Sequence, residues 1–286
     1  MNKLLPVIYS LSTLPYHTKN PHGAFALDRV ELYTAAISSL IRRAEGNVTI
    51  MHCDRAGAEC LRQKGLTNLW NDVEITIPDD LGGINPLMFW AAGKLYALQA
   101  TAAPLLMLDT DFIARKLPKT LGGTASKNTV IAAHREDLAP HIYPDISHFD
   151  MNEDYRFNKQ LDYTIRPLNT AFLYMNNDDF KRYYVDCAME FMKSAKPGGD
   201  RLTYMVYAEQ RLLAMLADYK KVEVETLLEY EQLQIKPQKY YTHLWGAKQV
   251  MRDNPREHER ICQQCRARIR ASFPDWEWVI VHIDNE

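Results

Sequence analysis

The chain has 286 residues, 47% hydrophobic and 24% charged, with a formal net charge of −2, which suits one large α/β domain with a sizeable core and argues against a general nucleic-acid binder. No stretch approaches the ~20 apolar residues of a membrane span, and the N-terminal apolar run, broken by Pro6, is too short for a signal peptide. Five cysteines, an odd number scattered at 53, 60, 187, 262 and 265, fit a reduced, cytoplasmic protein.

Pro6–Leu11 reads as a first strand. Leu27, Val30, Tyr33, Ile37, Leu40 and Ala44 then recur at helical spacing, which predicts an amphipathic helix over His22–Ala44, stopped at Gly46-Asn47. Val48–Cys53 is a second strand, Ala56–Lys64 a short helix, Val73–Ile77 a third strand and Asn85–Thr101 a helix. Leu105–Leu108 is a short unbroken apolar run, the pattern of a strand buried on both faces. Strands over Thr129–Ala133 and Leu168–Met175 follow, then helices over Asp178–Lys193, Leu202–Ala217 and Pro255–Ser272. Strand and helix alternate through the first third, so a mostly parallel, doubly wound sheet is expected. Pro140–Arg166 is a long aromatic and acidic segment without periodicity, and such segments are often functional.

The buried run ends in Asp109-Thr-Asp111. Ligands of open α/β sheets sit beyond the carboxyl ends of the strands. Two carboxylates one residue apart point the same way if the chain stays extended. Like charges at a core edge are costly unless a positive partner joins them. A divalent cation, Mg²⁺ or Mn²⁺, is a natural one, and it suits a diphosphate substrate. The plain alternative is a solvated turn. Cys262-Gln-Gln-Cys265 has zinc-like spacing, but no second pair accompanies it. Arg252, Arg256 and Arg260 share a helical face that suits at most peripheral contact with anionic lipid, a phosphate-bearing acceptor, or simply solvent among Glu257 and Glu259.

Further elements accompany the Asp pair in order: Trp90-Ala-Ala-Gly-Lys94 before it, then Leu168-Asn-Thr-Ala-Phe-Leu-Tyr-Met-Asn176, Ala208-Glu-Gln-Arg-Leu212 and His243-Leu-Trp-Gly-Ala-Lys248. This order, over roughly residues 5 to 248, resembles the GT-A glycosyltransferases of the glycogenin and bacterial lipopolysaccharide galactosyltransferase kind. Thr170-Ala171 stands for that family's Ser-Gly, Glu209 for its Asp, and Lys248 sits one residue closer to Gly246, as in a distant branch. The resemblance implies a GT-A-like α/β fold over 1–250 with a C-terminal helical extension, 251–286, packed on the same domain.

It also implies a metal-dependent transfer of a sugar from a nucleotide-diphosphate donor, a UDP-sugar first, to a hydroxyl of a carbohydrate or glycolipid acceptor, with retention. By the same resemblance Asp109, Asp111 and His243 hold the metal, and the imidazole favours Mn²⁺ over Mg²⁺. Ser12, Tyr16, Lys94, Gly246 and Lys248 join the donor site, Tyr16 stacking on the base and Lys248 meeting the diphosphate. Glu209 and Gln210 lie near the anomeric carbon. Asn169 and Thr170 meet sugar hydroxyls, and Tyr155 and Tyr163, from the aromatic segment, are expected at the acceptor. Two other readings remain: a haloacid-dehalogenase-type phosphatase, which also places Asp-x-Asp after an apolar strand but near the start of the chain, and a catalytically inactive sugar- or nucleotide-binding protein of the same fold.

Overall fold

The computed structural model describes residues 5–118, 120–121, 128–234, 241–244, 251 and 253–285. Its centre is a seven-stranded sheet. The strands are β1 (Pro6–Leu11), β2 (Val48–Cys53), β3 (Asp72–Ile75), β4 (Leu105–Leu108), β6 (Thr129–Arg135), β7 (Leu168–Met175) and β8 (Glu223–Thr226), in the spatial order β3-β2-β1-β4-β7-β6-β8. Only β7 runs against its neighbours, β4 and β6. A second, two-stranded sheet pairs β5 (Phe112–Ala114) with β9 (Tyr241–His243).

Both faces of the main sheet are covered. Leu105 and Met107 of β4 enter one apolar cluster, and Leu106 and Leu108 enter the other, as the alternation of a strand dictates. Two-sided burial is why this strand reads as an unbroken apolar run. On the first face lie α4 (Ala92–Ala100), α5 (Asp178–Ser194), α6 (Arg201–Val206) and α7 (Leu212–Tyr219). On the second lie α2 (Arg29–Ala44), α8 (Pro255–Ser272) and α9 (Trp278–Asp284). Two short helices, α1 (Leu14–Lys19) and α3 (Arg55–Gln63), follow β1 and β2.

Several boundaries differ from the periodicity. The helix expected from His22 starts at Arg29, because Asp28 caps it, accepting from the backbone amides of Val30 and Glu31 at 2.8 and 3.4 Å. The helix expected from Asn85 starts at Ala92. Asn85 Oδ1 instead accepts from the amides of Leu87 and Met88 and holds a separate turn ahead of it. The single helix expected over Leu202–Ala217 is α6 and α7 joined by a π-helical turn at Tyr207–Arg211. The strands β5, β8 and β9 and the helix α9 have too few residues to show a period.

The C-terminal helices share the core of the second face. Cys262, Cys265 and Ile269 of α8 and Val279, Ile280 and Ile283 of α9 are buried in the cluster that holds Tyr33, Ile37 and Leu40 of α2. Arg266 fastens them, with bonds to Asp284 at 2.6 and 2.8 Å and to Glu259 at 2.8 Å. Burial pushes the Cys262 and Cys265 thiols up to about 11 and about 12, so this pair serves packing. Arg256 and Arg260 are exposed, Arg260 pairing with Glu257, while Arg252 lies outside the described residues. No described helix is long and apolar enough to cross a membrane.

Candidate functional site

The Asp pair is not extended. β4 stops at Leu108, and the Phe112 amide donates to the Asp109 carbonyl at 2.9 Å, closing a tight turn into β5. The Asp109 amide donates to the carbonyl of Ala171 on β7 at 2.9 Å, which fixes the start of that turn. Antiparallel pairing of β5 with β9 sets Phe112 opposite His243. This pairing delivers the histidine: ligand atoms of Asp109, Asp111 and His243 all lie within 4.8 Å of one another. His243 Nε2 is 3.7 Å from Asp111 Oδ1. Among the described residues this is the one His/Cys/Asp/Glu group so arranged. Two hard carboxylates and one borderline imidazole fit a small divalent cation.

The group opens on a cleft of about 600 Å³ beyond the carboxyl end of β4. Beside the Asp group stands Lys94 of α4. Its Nζ lies 2.7 Å from Asp109 Oδ1, bonds Glu209 Oε1, and lies 3.3 Å from Thr170 Oγ1. Thr170 Oγ1 in turn donates to Glu209 Oε1. Burial alone would pull the Lys94 ammonium down, but the Asp109 and Glu209 carboxylates outweigh it and hold it above its ordinary value. Lys94 therefore neither snorkels to solvent nor sits unpaired.

Glu209 and Gln210 reach the cleft because they occupy the π-turn. A wider turn shifts the side chains that follow relative to a regular helix, and π-bulges are frequent at functional sites. The Tyr184 hydroxyl donates to the Glu209 carbonyl at 2.8 Å, satisfying one of the backbone groups there. Tyr143 donates to Gln210 Oε1 at 2.6 Å.

Two supports of this site were absent from the sequence reading. Asp54, buried at the N-cap of α3, accepts from the Gly57 amide at 2.7 Å, from Ser12 Oγ and Thr13 Oγ1 at 3.0 Å each, and from the Thr13 amide. It thereby holds the loop after β1, where Ser12 lines the cleft. The available signal was Asp54 standing just before a helix, as N-caps do. Gly93 lets α4 approach that loop, since a Cβ there would stand 2.9 Å from Ile77 Cδ1 and 3.3 Å from Ser12 Cβ. The second support is Glu136 at the end of β6. Asn169 Nδ2 donates to Glu136 Oε1 at 2.9 Å, and His134 Nε2 lies 3.1 Å from the same oxygen. Burial raises the Glu136 carboxyl, but its bonds from His134 and Asn169 outweigh this and hold it below the usual value. Asn169 Oδ1 accepts from the Ala171 amide at 3.1 Å, so Asn169 lines the cleft with both ends of its amide engaged.

Ser12, Lys94, Asp109, Asp111, Asn169, Thr170, Glu209, Gln210 and His243 thus line one cleft. Three tyrosines do not. Tyr16 on α1 donates to the Ala24 carbonyl at 2.7 Å and meets Phe25 edge-on. Tyr155 packs on Phe191. The Tyr163 hydroxyl bonds that of Tyr207 at 2.7 Å, and Arg211 donates to the carbonyls of Tyr163 and Ile165 at 2.6 and 2.7 Å. The aromatic segment covers the first face of the sheet, and from it Tyr143 touches the site through Gln210. Gly246 and Lys248 lie outside the described residues.

No curated protein matches the sequence. Among solved structures the chain is similar to a galactosyltransferase, LgtC, in complex with donor and acceptor sugar analogues, at 13% identity over 71% of this chain and 70% of that one, with a TM-score of 0.40. It is similar also to an active-site mutant of LgtC, at 12% identity over 85% of this chain and 88% of that one, with a TM-score of 0.42. Residues 17–283 match a family of unknown function, DUF6734. With nearly its whole length matched, the chain belongs to that family.

Proposed function

We propose that this protein is a metal-dependent glycosyltransferase that moves a sugar from a nucleotide-diphosphate donor, a UDP-sugar first, to an acceptor hydroxyl. The observation that carries the reading is the Asp109–Asp111–His243 group standing beside the Lys94–Glu209 pair on one cleft. Asp109, Asp111 and His243 would hold the cation, and Mn²⁺ is the first choice. A cation bound there neutralises charge on the departing diphosphate.

The remaining chemistry belongs to the chain's own side chains. Glu209 is an acid on the cleft with one oxygen tied to Lys94 and Thr170. Its charge suits the oxocarbenium-like character that develops at an anomeric carbon. Lys94 and Thr170 hold that carboxylate in place. Gln210, oriented by Tyr143, offers an amide to a sugar hydroxyl. Retention of configuration is the outcome that the resemblance to the glycogenin-type transferases implies. All five cysteines are free, which supports a reducing, cytoplasmic setting.

The test is a thermal-shift and calorimetric titration with UDP, with and without Mn²⁺, on the native sequence and on Asp109→Asn/Asp111→Asn. At a hundredfold excess over Kd the ligand adds about 2.7 kcal/mol, or about 4–5 °C for a chain of this length. The double variant should keep its fold and lose the shift. Equal UDP binding by the two proteins in Mn²⁺ refutes the metal assignment.

A further inference from the structure

The cleft has two unlike walls. One carries Asp109, Asp111, His243, Lys94 and Glu209. The other is apolar: Trp90 and Ala91 precede α4, and Leu202, Met205 and Val206 come from α6. Met205 and Val206 are buried, but Trp90 and Leu202 are 41% and 46% exposed. They are two of only five large hydrophobic side chains so exposed among the described residues, and both line this one cleft. Tryptophan is highly buried on average. Most aromatic rings near the cleft are paired, as Phe89 is with Phe191 and Tyr204. Trp90 makes no ring contact among the described residues.

An apolar rim above a polar floor calls for an amphipathic ligand. A pyranose ring has one apolar C–H face for an indole and hydroxyls at its edge for the polar wall. Gln210 lines the same cleft. Gln210 Oε1 is engaged by Tyr143, and its amide nitrogen makes no hydrogen bond among the described residues. An alkyl chain would bury the rim equally well but would leave that nitrogen desolvated and unpaired, which is costly.

We infer that Trp90 and Leu202 form a carbohydrate subsite, with a sugar ring of the acceptor stacked on Trp90 and in apolar contact with Leu202. This rests on the transferase reading for its role in acceptor binding. It moves the acceptor away from Tyr155 and Tyr163, which are partly buried against the first-face core.

The subsite is tested by fluorine NMR of protein labelled with 5-fluorotryptophan, the Trp90 resonance being assigned by Trp90→Phe. Cellobiose, lactose and 1,6-hexanediol are titrated separately in the presence of UDP and Mn²⁺. A saturable shift of the Trp90 resonance with a disaccharide and none with hexanediol is expected. Leu202→Ala should weaken that binding about fivefold through lost apolar contact. A response to hexanediol alone overturns the sugar in favour of an alkyl ligand, and no response to any of the three overturns the subsite. UDP binding is read in parallel. Its failure in the native sequence refutes the donor reading, while a disaccharide shift without UDP still sustains the subsite.

Discussion

Replacing Lys94 by Met isolates the electrostatics of the cleft. Methionine keeps the apolar stem and removes the ammonium. In the native protein that ammonium faces Asp109 at 2.7 Å and bonds Glu209, with side chains 11% exposed for Lys94, 9% for Glu209 and 28% for Asp109. Removing one partner of a buried ion pair costs about 3–5 kcal/mol. Asp109 is the wetter carboxylate, so solvent recovers part of this, and about 2–4 kcal/mol is expected. For 286 residues that is a fall in Tm of about 3–7 °C, read by calorimetry in EDTA. Glu209→Gln in the Lys94→Met background removes one stranded charge. The double variant should therefore lose less than the two single losses added, by at least about 1 kcal/mol. Mn²⁺ should stabilise Lys94→Met more than the native sequence, because it no longer competes with an ammonium for Asp109. A Tm within 1 °C of the native value, or an equal Mn²⁺ shift in both proteins, refutes this account of Lys94.

Other outcomes follow from single contacts. Tyr143→Phe removes the bond to Gln210 Oε1 and should lower kcat/KM of transfer about fivefold, the equivalent of about 1 kcal/mol, with UDP affinity in Mn²⁺ unchanged; a loss confined to UDP binding would contradict it. Asp54→Ala strips the capping and loop bonds around Ser12, Thr13 and Gly57 and should cost about 2–3 kcal/mol in urea unfolding, whereas a cost below 1 kcal/mol would show that the loop holds itself. Burial pulls the His52 imidazole down to about 4, so the folded protein keeps it neutral while the unfolded chain protonates it near its ordinary value of about 6.5. Stability should therefore be full above pH ~6.5 and fall as pH drops from there to about 4, by at most about 3 kcal/mol. Glu74, 3.6 Å from its Nδ1, works against part of this loss. His52→Gln should flatten the slope over that range, and an unchanged slope would place the titration elsewhere.

The site was legible wherever local chemistry wrote it. The apolar run into Asp109-Thr-Asp111 announced a doubly buried strand with acids at its carboxyl end, because a strand covered on both faces has no polar positions to spare. Lys94, amid apolar helix residues, had either to snorkel to solvent or to meet an anion, and it lies between two carboxylates. The mostly parallel sheet was readable from the alternation of strand and helix through the first third.

What tertiary structure decided is everything that joins distant segments. Antiparallel pairing of β5 with β9 carries His243 to Asp111, yet each strand has three residues, too few to show alternation. The π-turn at Tyr207–Arg211 sits inside an unbroken helical pattern, and its signal is a packing fit that no local propensity records. The aromatic segment looked like a binding surface because its tyrosines carry polar tips. In the fold those tips meet other side chains, Tyr163 on Tyr207 and Tyr143 on Gln210, while Trp90, in sequence just another apolar residue before α4, is left at the cleft. Composition and spacing determine which residues prefer burial; only the closed tertiary arrangement determines which apolar face remains uncovered, because that depends on the volume its neighbours leave unfilled.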